Sequence, residues 1–339
     1  MNGEINLKTY QKMKAPLRLN IQHFAETDSA KFNPDNVVMS NFMEGEIPTQ
    51  FSDVIVEDVM ANSVTMQLAQ YEEMTQQKKE FTYLTGPLGA YWVGEGKKIQ
   101  TSKPTVVKAV MEAHKLGVIV LATREALQYT VRQFFTQMRP HIAKALYTKF
   151  DEAAILNVDN PFLQSLDQAV RNVDNHVISG PINGENYFAL TDAVNDEGFD
   201  VNAFISKKQN KSLLRNVVDG FKQEDGTIVD PTRLYNRNAN TLDGLPIAEL
   251  DSKEMAKGTL YAGDFNYLRY GIPFNLNFKI TDTGQISTIT DENGDPINLF
   301  EREMVAMRAT MDVGFMVLKD EAFAKLEPAA ETPEAPAGA

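Results

Sequence analysis

The chain has 339 residues, of which 43% are hydrophobic and 23% charged, ordinary values for a globular protein that exclude disorder along its whole length. It contains no cysteine, which excludes disulfides, thiolate metal sites and cysteine nucleophiles together. The formal charge of −13 argues against a sequence-reading nucleic-acid binder, which carries a basic patch.

No apolar run approaches the roughly 18 residues of a spanning helix. The opening stretch MNGEINLKTYQKMKAPLRLNIQHFAE has scattered charge and no continuous apolar core, unlike a signal peptide. The expectation is a soluble protein made inside the cell. Charge is unevenly placed. Residues 1–24 carry Lys8, Lys12, Lys14 and Arg18 against Glu4 alone, a net of +3 that leaves −16 for the remainder.

The first thirty-odd residues lack periodicity and read as an extended arm. FSDVIVEDVMAN (51–62) predicts a short helix, with Ser52 as candidate cap and Ile55, Val59 and Met60 on one side. From 66 to 122 the signals change to strand: EFTYL, AYWVGEG and TVVKAVMEAHKLGVIVLA are rich in β-branched and aromatic residues. Four glycines and two prolines between 84 and 105 predict the flexible tip of a long hairpin.

The strongest local signal starts at Thr123, a candidate cap. Leu127, Val131, Phe134, Met138, Ile142, Leu146, Phe150 and Ala153 follow in steps of three or four, which predicts a helix over 124–156, with a bend at Pro140. At 1.5 Å per residue it would run roughly 50 Å, a spine across the molecule. NAFIS (202–206) predicts a buried strand leading into an amphipathic helix, KKQNKSLLRNVVD. DGFKQEDGTIVD (219–230) reads as a polar loop or hairpin. LDGLPIAEL, TLYAGDFNYLRYGI and FKITDTG read as strands, with turns at Asp243-Gly244 and Gly263-Asp264. LFEREMVAMRATMDVGFMVL (299–318) predicts a long strand, and EPAAETPEAPAGA (327–339) a disordered tail. The fold class is α+β.

Few residues invite chemistry. GEGKK (94–98) partly matches a phosphate loop, but Glu95 follows Gly94 where that motif needs lysine, so a hairpin tip is the better reading. DENGDPINLFER (291–302) fails the calcium-loop pattern, since Gly294 falls fourth and Arg302 twelfth; Asn293-Gly294 explains it as a tight turn. His23, His114, His141 and His176 are scattered without metal-ligand spacing. The sequence implies no catalytic residue, no metal and no cofactor. Trp92 is either a core aromatic or an anchor for a partner. The methionines, including Met304, Met307, Met311 and Met316, read as core filler first and a repacking interface second.

The ordered set AYWVGEGKKIQTSKPT, KLGVIVLATREAL, the spine helix, NAFISKKQNKSLLRNVVD, LDGLPI, GDFNYLRYGI and LFEREMVAMRATM resembles the major capsid proteins of tailed bacteriophages, most of all those from phages of low-GC Gram-positive bacteria. The resemblance covers about residues 20–326. It implies a cleavable arm (1–24), an N-arm and short helix (25–69) and an extended loop (70–122). It further implies a peripheral domain with the spine helix (123–159 and 299–326), an axial domain (160–298) and a disordered tail (327–339). The function implied is self-assembly, through pentamers and hexamers, into an icosahedral head around double-stranded DNA, held without sequence specificity. Partners implied are a scaffolding protein, a portal protein and, in some cases, a decoration protein. The hairpin-tip residues Trp92, Glu95, Lys97 and Lys98 would touch a neighbouring subunit. LRLNIQHFAE (17–26) also resembles a sequence that a host cysteine protease cuts, which implies cleavage between Phe24 and Ala25; Ile21 departs from the leucine of that pattern. The alternative is a cellular nanocompartment shell of the same fold around an enzyme cargo. A soluble hydrolase is a third reading, which lacks any converging site.

Overall fold

A computed structural model describes residues 38–39, 49–85, 98, 105–123, 131–222, 228–273, 276–290 and 294–329. By compactness the chain divides into two units, one of residues 1–46, 119–136 and 279–307, the other of 47–118, 137–278 and 308–339.

The larger unit holds most of the helical residues. α1 (Thr49–Asn62) buries Ile55 and Val59 completely, as their spacing predicts. It begins at Thr49, so Ser52 lies within the helix and does not cap it. Ser63 caps α2 (Val64–Leu68) by accepting from the Met66 N–H, so the stretch after 62 first continues helical where strand was expected. The long helix α3 (Val131–Leu156) is continuous through Pro140. Met138, Ile142, Leu146, Phe150 and Ala153 on its predicted face are all buried. Residues 124–130 lie outside the described residues, and Thr123 is the last residue of a strand.

β2 (Gln70–Tyr71) is followed by β3 (Lys78–Thr85), which pairs antiparallel with β4 (Thr105–Thr123). Their register runs without a break from Lys78↔Glu112 to Thr85↔Thr105, the stem of the expected hairpin. A short strand β1 (Val38–Met39) pairs parallel with the far end of β4.

A second, seven-stranded sheet fills residues 177–263. Its strands are β5 (Val177–Ser179), β6 (Ala203–Lys207), β9 (Tyr235–Asn236), β10 (Thr241–Leu242), β11 (Leu245–Leu250) and β12 (Leu260–Gly263), with β18 (Phe323–Glu327) between β5 and β12. β7 (Val218–Lys222) and β8 (Ile228–Arg233) pair antiparallel in a separate ribbon, the hairpin alternative of the two expected near 219–230. The helices α4 (Leu166–Asn172) and α5 (Gly184–Asp196) belong to the same region; Ser165 opens α4 with a full capping box, and Asn183 opens α5. Leu190 and Val194 of α5 join Phe204, Leu260, Ala324 and Leu326 in one core. β18 thus belongs to this sheet, a place that a peripheral assignment of 299–326 does not give it, and Glu327 pairs with Ser179 where a tail was expected to begin.

The amphipathic helix expected over 207–219 is absent. Two short 3-10 turns, Lys208–Ser212 and Leu214–Asn216, occupy it, and Val218 starts β7. The reason is Asn210, which is fully buried: its amide donates to Ser206 Oγ and the Thr259 carbonyl, and its Oδ1 accepts from the Gly258 N–H. A buried side chain satisfying backbone groups in this way fixes an irregular path over a helical one.

β13 (Leu268–Gly271) and β14 (Asn277–Thr281) pair with β17 (Met304–Val317), the long strand expected near the C-terminus. Met304, Met307, Met311 and Met316 are all buried within the single chain, which makes them core and not an exposed repacking surface. In the smaller unit, β15 (Gln285–Thr290) and β16 (Pro296–Asn298) form a hairpin over Ile289, Ile297, Leu299 and Met304. Gly294 in its turn has a φ of 90°, the backbone angle that the Asn293-Gly294 pair anticipates.

Candidate assembly surface

The residues singled out in the sequence are not brought together in one site. Phe24, Ala25, Trp92, Glu95 and Lys97 lie outside the described residues, and Lys98 is exposed. What the structure gives is the stem that carries residues 86–104. At its base Lys78 Nζ meets Glu112 at 2.7 Å, a hydrogen bond that raises the lysine and lowers the carboxylate from their ordinary values. Lys79 donates to Glu72 at 3.1 Å and to the Glu73 carbonyl at 2.7 Å, and its ammonium sits 5.0 Å over the Phe81 ring. Beneath, Met74, Met111, Ala113 and Met316 form a buried cluster. The stem is therefore fixed in side chains at its root.

The spine helix is tied to α2 by a buried carboxylate. Asp151 Oδ1 accepts from Ser63 Oγ at 2.6 Å and from the Thr65 N–H at 3.0 Å, while Oδ2 accepts from the Val64 N–H at 2.9 Å. Burial pushes this carboxyl up, although the donors pull the other way. Phe150, one residue earlier, packs edge-on to Phe162 and Phe315 at 5.9 and 6.4 Å.

A second cluster joins α4, β12 and β18. Lys325 Nζ lies 2.6 Å from Asp167 and 3.0 Å from Glu327; Arg171 bonds the same two carboxylates at 2.9 and 3.0 Å. Tyr261 donates its hydroxyl to Asp167 at 2.9 Å. Burial pushes Asp167 up, but Lys325 and Arg171 outweigh it and hold the carboxyl below the usual range. The cluster edges a cleft of about 240 Å3. Two cations and two carboxylates satisfy one another here, which suits a brace between elements and leaves no group poised for proton transfer. Sequence reasoning missed it, because residues 167 and 325 are 158 positions apart.

A smaller cleft of about 220 Å3 opens beside α5, between Tyr187, Phe188, Val201 and Leu245, with Asp200 and Asp243 also lining it. Phe188 is 38% exposed; elsewhere Leu163 and Phe300 stand out at 74% and 75%. Among the described residues no group of three or more His, Asp or Glu side chains is placed to hold a metal. His176 is spoken for, its Nδ1 2.6 Å from the Phe323 carbonyl oxygen, and His114 packs against Phe162.

The pattern of the phage capsid family matches residues 45–327. Over 316 residues the chain is 48% identical to the major capsid protein of Staphylococcus phage 80alpha, covering 92% of this chain and 95% of that protein. The chain belongs to the phage capsid family. It is also 27% identical to the probable major capsid protein gp17 of Mycobacterium phage L5, over 78% of this chain and 83% of that one. Among solved structures, a chain of Microbacterium phage Oxtober96 superposes with a TM-score of 0.63 at 22% identity, over 79% of this chain and 91% of its own. A chain of Mycobacterium phage Adephagia gives 0.62 at 19% identity, over 80% and 92%. These likenesses establish the α+β capsid fold. The family is structural.

Proposed function

We infer that copies of this chain build the shell of a tailed-phage head, so that the protein resides in the virion capsid. The observation that carries this is the 48% identity along nearly the whole of both chains to a phage major capsid protein. Nothing in the comparisons favours a nanocompartment shell. The chain acts by assembling, without turnover of a substrate.

The finer reading has four parts. Subunits associate as pentamers and hexamers on a scaffolding protein, with a portal protein at one vertex and, in some members of the family, a decoration protein besides. The procapsid then expands around double-stranded DNA, which a body of net charge −16 repels more than it grips. The hairpin tip, with Trp92, Glu95, Lys97 and Lys98, lies over a neighbouring subunit; the register of its stem from Lys78 to Thr85 supports a rigid projecting arm. A host cysteine protease cuts between Phe24 and Ala25, and this removes the +3 segment.

Electron microscopy of the purified protein, co-expressed with the host cysteine protease and with or without a scaffolding protein, tests the reading. Closed shells of uniform size are expected, and intact mass of those shells should show the loss of residues 1–24. Monomers under every condition would sink the assembly reading; shells of unshortened or differently shortened subunits would sink the cut alone.

A further inference from the structure

The turn that joins β16 to β17 in the smaller unit presents an aromatic ring that the fold itself does not use. Leu299 and Phe300 are neighbours with opposite fates. Leu299 is 1% exposed and packs with Ile289, Ile297 and Met304, whereas Phe300 is 75% exposed, more than any other aromatic among the described residues. Leu299 takes the inward place, so Phe300 stands out into water.

The turn is held by its own bonds. The Met304 N–H donates to the Leu299 carbonyl at 2.9 Å, and the Glu303 N–H to that of Phe300 at 3.4 Å. On the entry side the Phe300 N–H donates to Asn298 Oδ1 at 3.2 Å, and the Leu299 N–H to the Gly284 carbonyl at 2.9 Å, which ties the turn to the residue before β15. Closing it strains the backbone, since Glu303 has a φ of 50°. Asn157, Asp159, Asn175, Asn240 and Asp243 share such angles, and their short polar side chains tolerate the left-handed region. Glu303 alone among these described residues is neither Asn nor Asp, so the turn keeps a strain that an asparagine or glycine would relieve. Strain of this kind gathers at functional segments. A ring already fixed in place also loses little freedom on binding.

The ring has a polar rim. Glu301, Arg302 and Glu303 follow it and are all exposed, and they carry both signs. An aromatic centre inside a charged, solvent-facing edge is the anatomy of a protein interface. A rim of mixed sign suits a surface like itself better than one of a single charge, and two Phe300 rings can stack edge to face. We propose that this turn meets the same turn of a neighbouring copy of the chain, with Phe300 packed at the centre of the contact. The proposal rests on the assembly reading and adds to it a defined contact between copies.

The test uses shells made from the full chain co-expressed with a scaffolding protein. The photoreactive side chain p-benzoylphenylalanine replaces Phe300, and adducts are mapped by mass spectrometry after irradiation. A product of twice the chain mass is expected, joined from position 300 of one copy to residues within 284–304 of another. Adducts elsewhere on a second copy, adducts to the scaffolding protein alone, or no adduct would each overturn the proposal. Phe300→Ser leaves Leu299 and the backbone bonds of the turn in place. It should raise the protein concentration at which shells form roughly tenfold, the loss of one well-packed aromatic contact, without moving the unfolding midpoint of the unassembled chain. A variant that assembles like the parent would also overturn it. A parent that forms no shells would sink the assembly reading and this contact with it, whereas shells without the adduct remove the contact alone.

Discussion

Asp151, on the spine helix, receives the hydroxyl of Ser63 at 2.6 Å across 88 positions of sequence, and in the same act holds the first N–H groups of α2. A carboxylate so placed replaces the missing partners at a helix start, and its negative charge faces the positive end of that helix. Asp151→Ala would leave one hydroxyl and two backbone donors without this acceptor, beside a wholly buried residue. The expected cost is on the order of 3 kcal/mol. Denaturant unfolding of the unassembled protein should show a lower midpoint with an unchanged slope. A midpoint within error of the parent would mean that α2 is held by packing alone.

Two glycines should fail for different reasons. A Cβ built on Gly263 would lie 2.4 Å from Phe323 Cδ1 and 2.5 Å from the Ala322 carbonyl oxygen, inside a strand paired on both sides. Backbone cannot yield there, so Gly263→Ala should destabilise by about 1–3 kcal/mol through overpacking. Gly198 has φ of 82° and nothing within 4 Å of its would-be Cβ. Gly198→Ala should lose only about 1 kcal/mol, the strain of the left-handed backbone. Thermal melts of the two variants rank them; the reverse order would contradict the crowding at Gly263.

Acid should loosen the α4, β12 and β18 brace. Burial pushes Asp167 and Glu327 up, but Lys325 and Arg171 bring both below the usual carboxylate range. A depressed folded-state value contributes stability above the unfolded value and loses it as pH falls through the folded one. The parent should therefore lose stability on acidification below about pH 4, the ordinary carboxylate range. The double variant Asp167→Asn, Glu327→Gln should be weaker at neutral pH yet show a flatter acid limb. Stability measured from pH 7 downward distinguishes them, and equally steep limbs would remove the cluster from the account.

The regular parts of this fold were legible because their signals are local. The apolar steps Met138, Ile142, Leu146 and Phe150 specify a buried helix face from spacing alone, and the β-branched run in β4 specifies its strand. Asn210 shows where that reading stops. KKQNKSLLRNVVD has helical periodicity, yet one buried amide bonded to Ser206, Gly258 and Thr259 decides the path, and Thr259 is 49 positions away. β18 was missed for a related reason: FAKLE is short, and its neighbours β5 and β12 are distant in sequence. The assembly role was legible only as a resemblance across ordered segments, since no residue in it performs chemistry that spacing reveals.

Trp92 is the sole tryptophan of the chain, so its fluorescence reports one place. In the unassembled protein, a residue at a projecting tip carried on the Lys78–Thr85 stem should emit as a water-exposed indole. If the tip lies over a neighbouring subunit, assembly removes that ring from water, and its emission should shift to shorter wavelength. Trp92→Ala should then impair assembly while leaving the midpoint of monomer unfolding within about 0.5 kcal/mol of the parent, as for a surface substitution. The two measurements separate the readings left open by the sequence. A core aromatic would emit at short wavelength before assembly, and its loss would cost about 3–5 kcal/mol in the isolated subunit. An emission spectrum that assembly leaves unmoved would rule out an anchoring role for the ring.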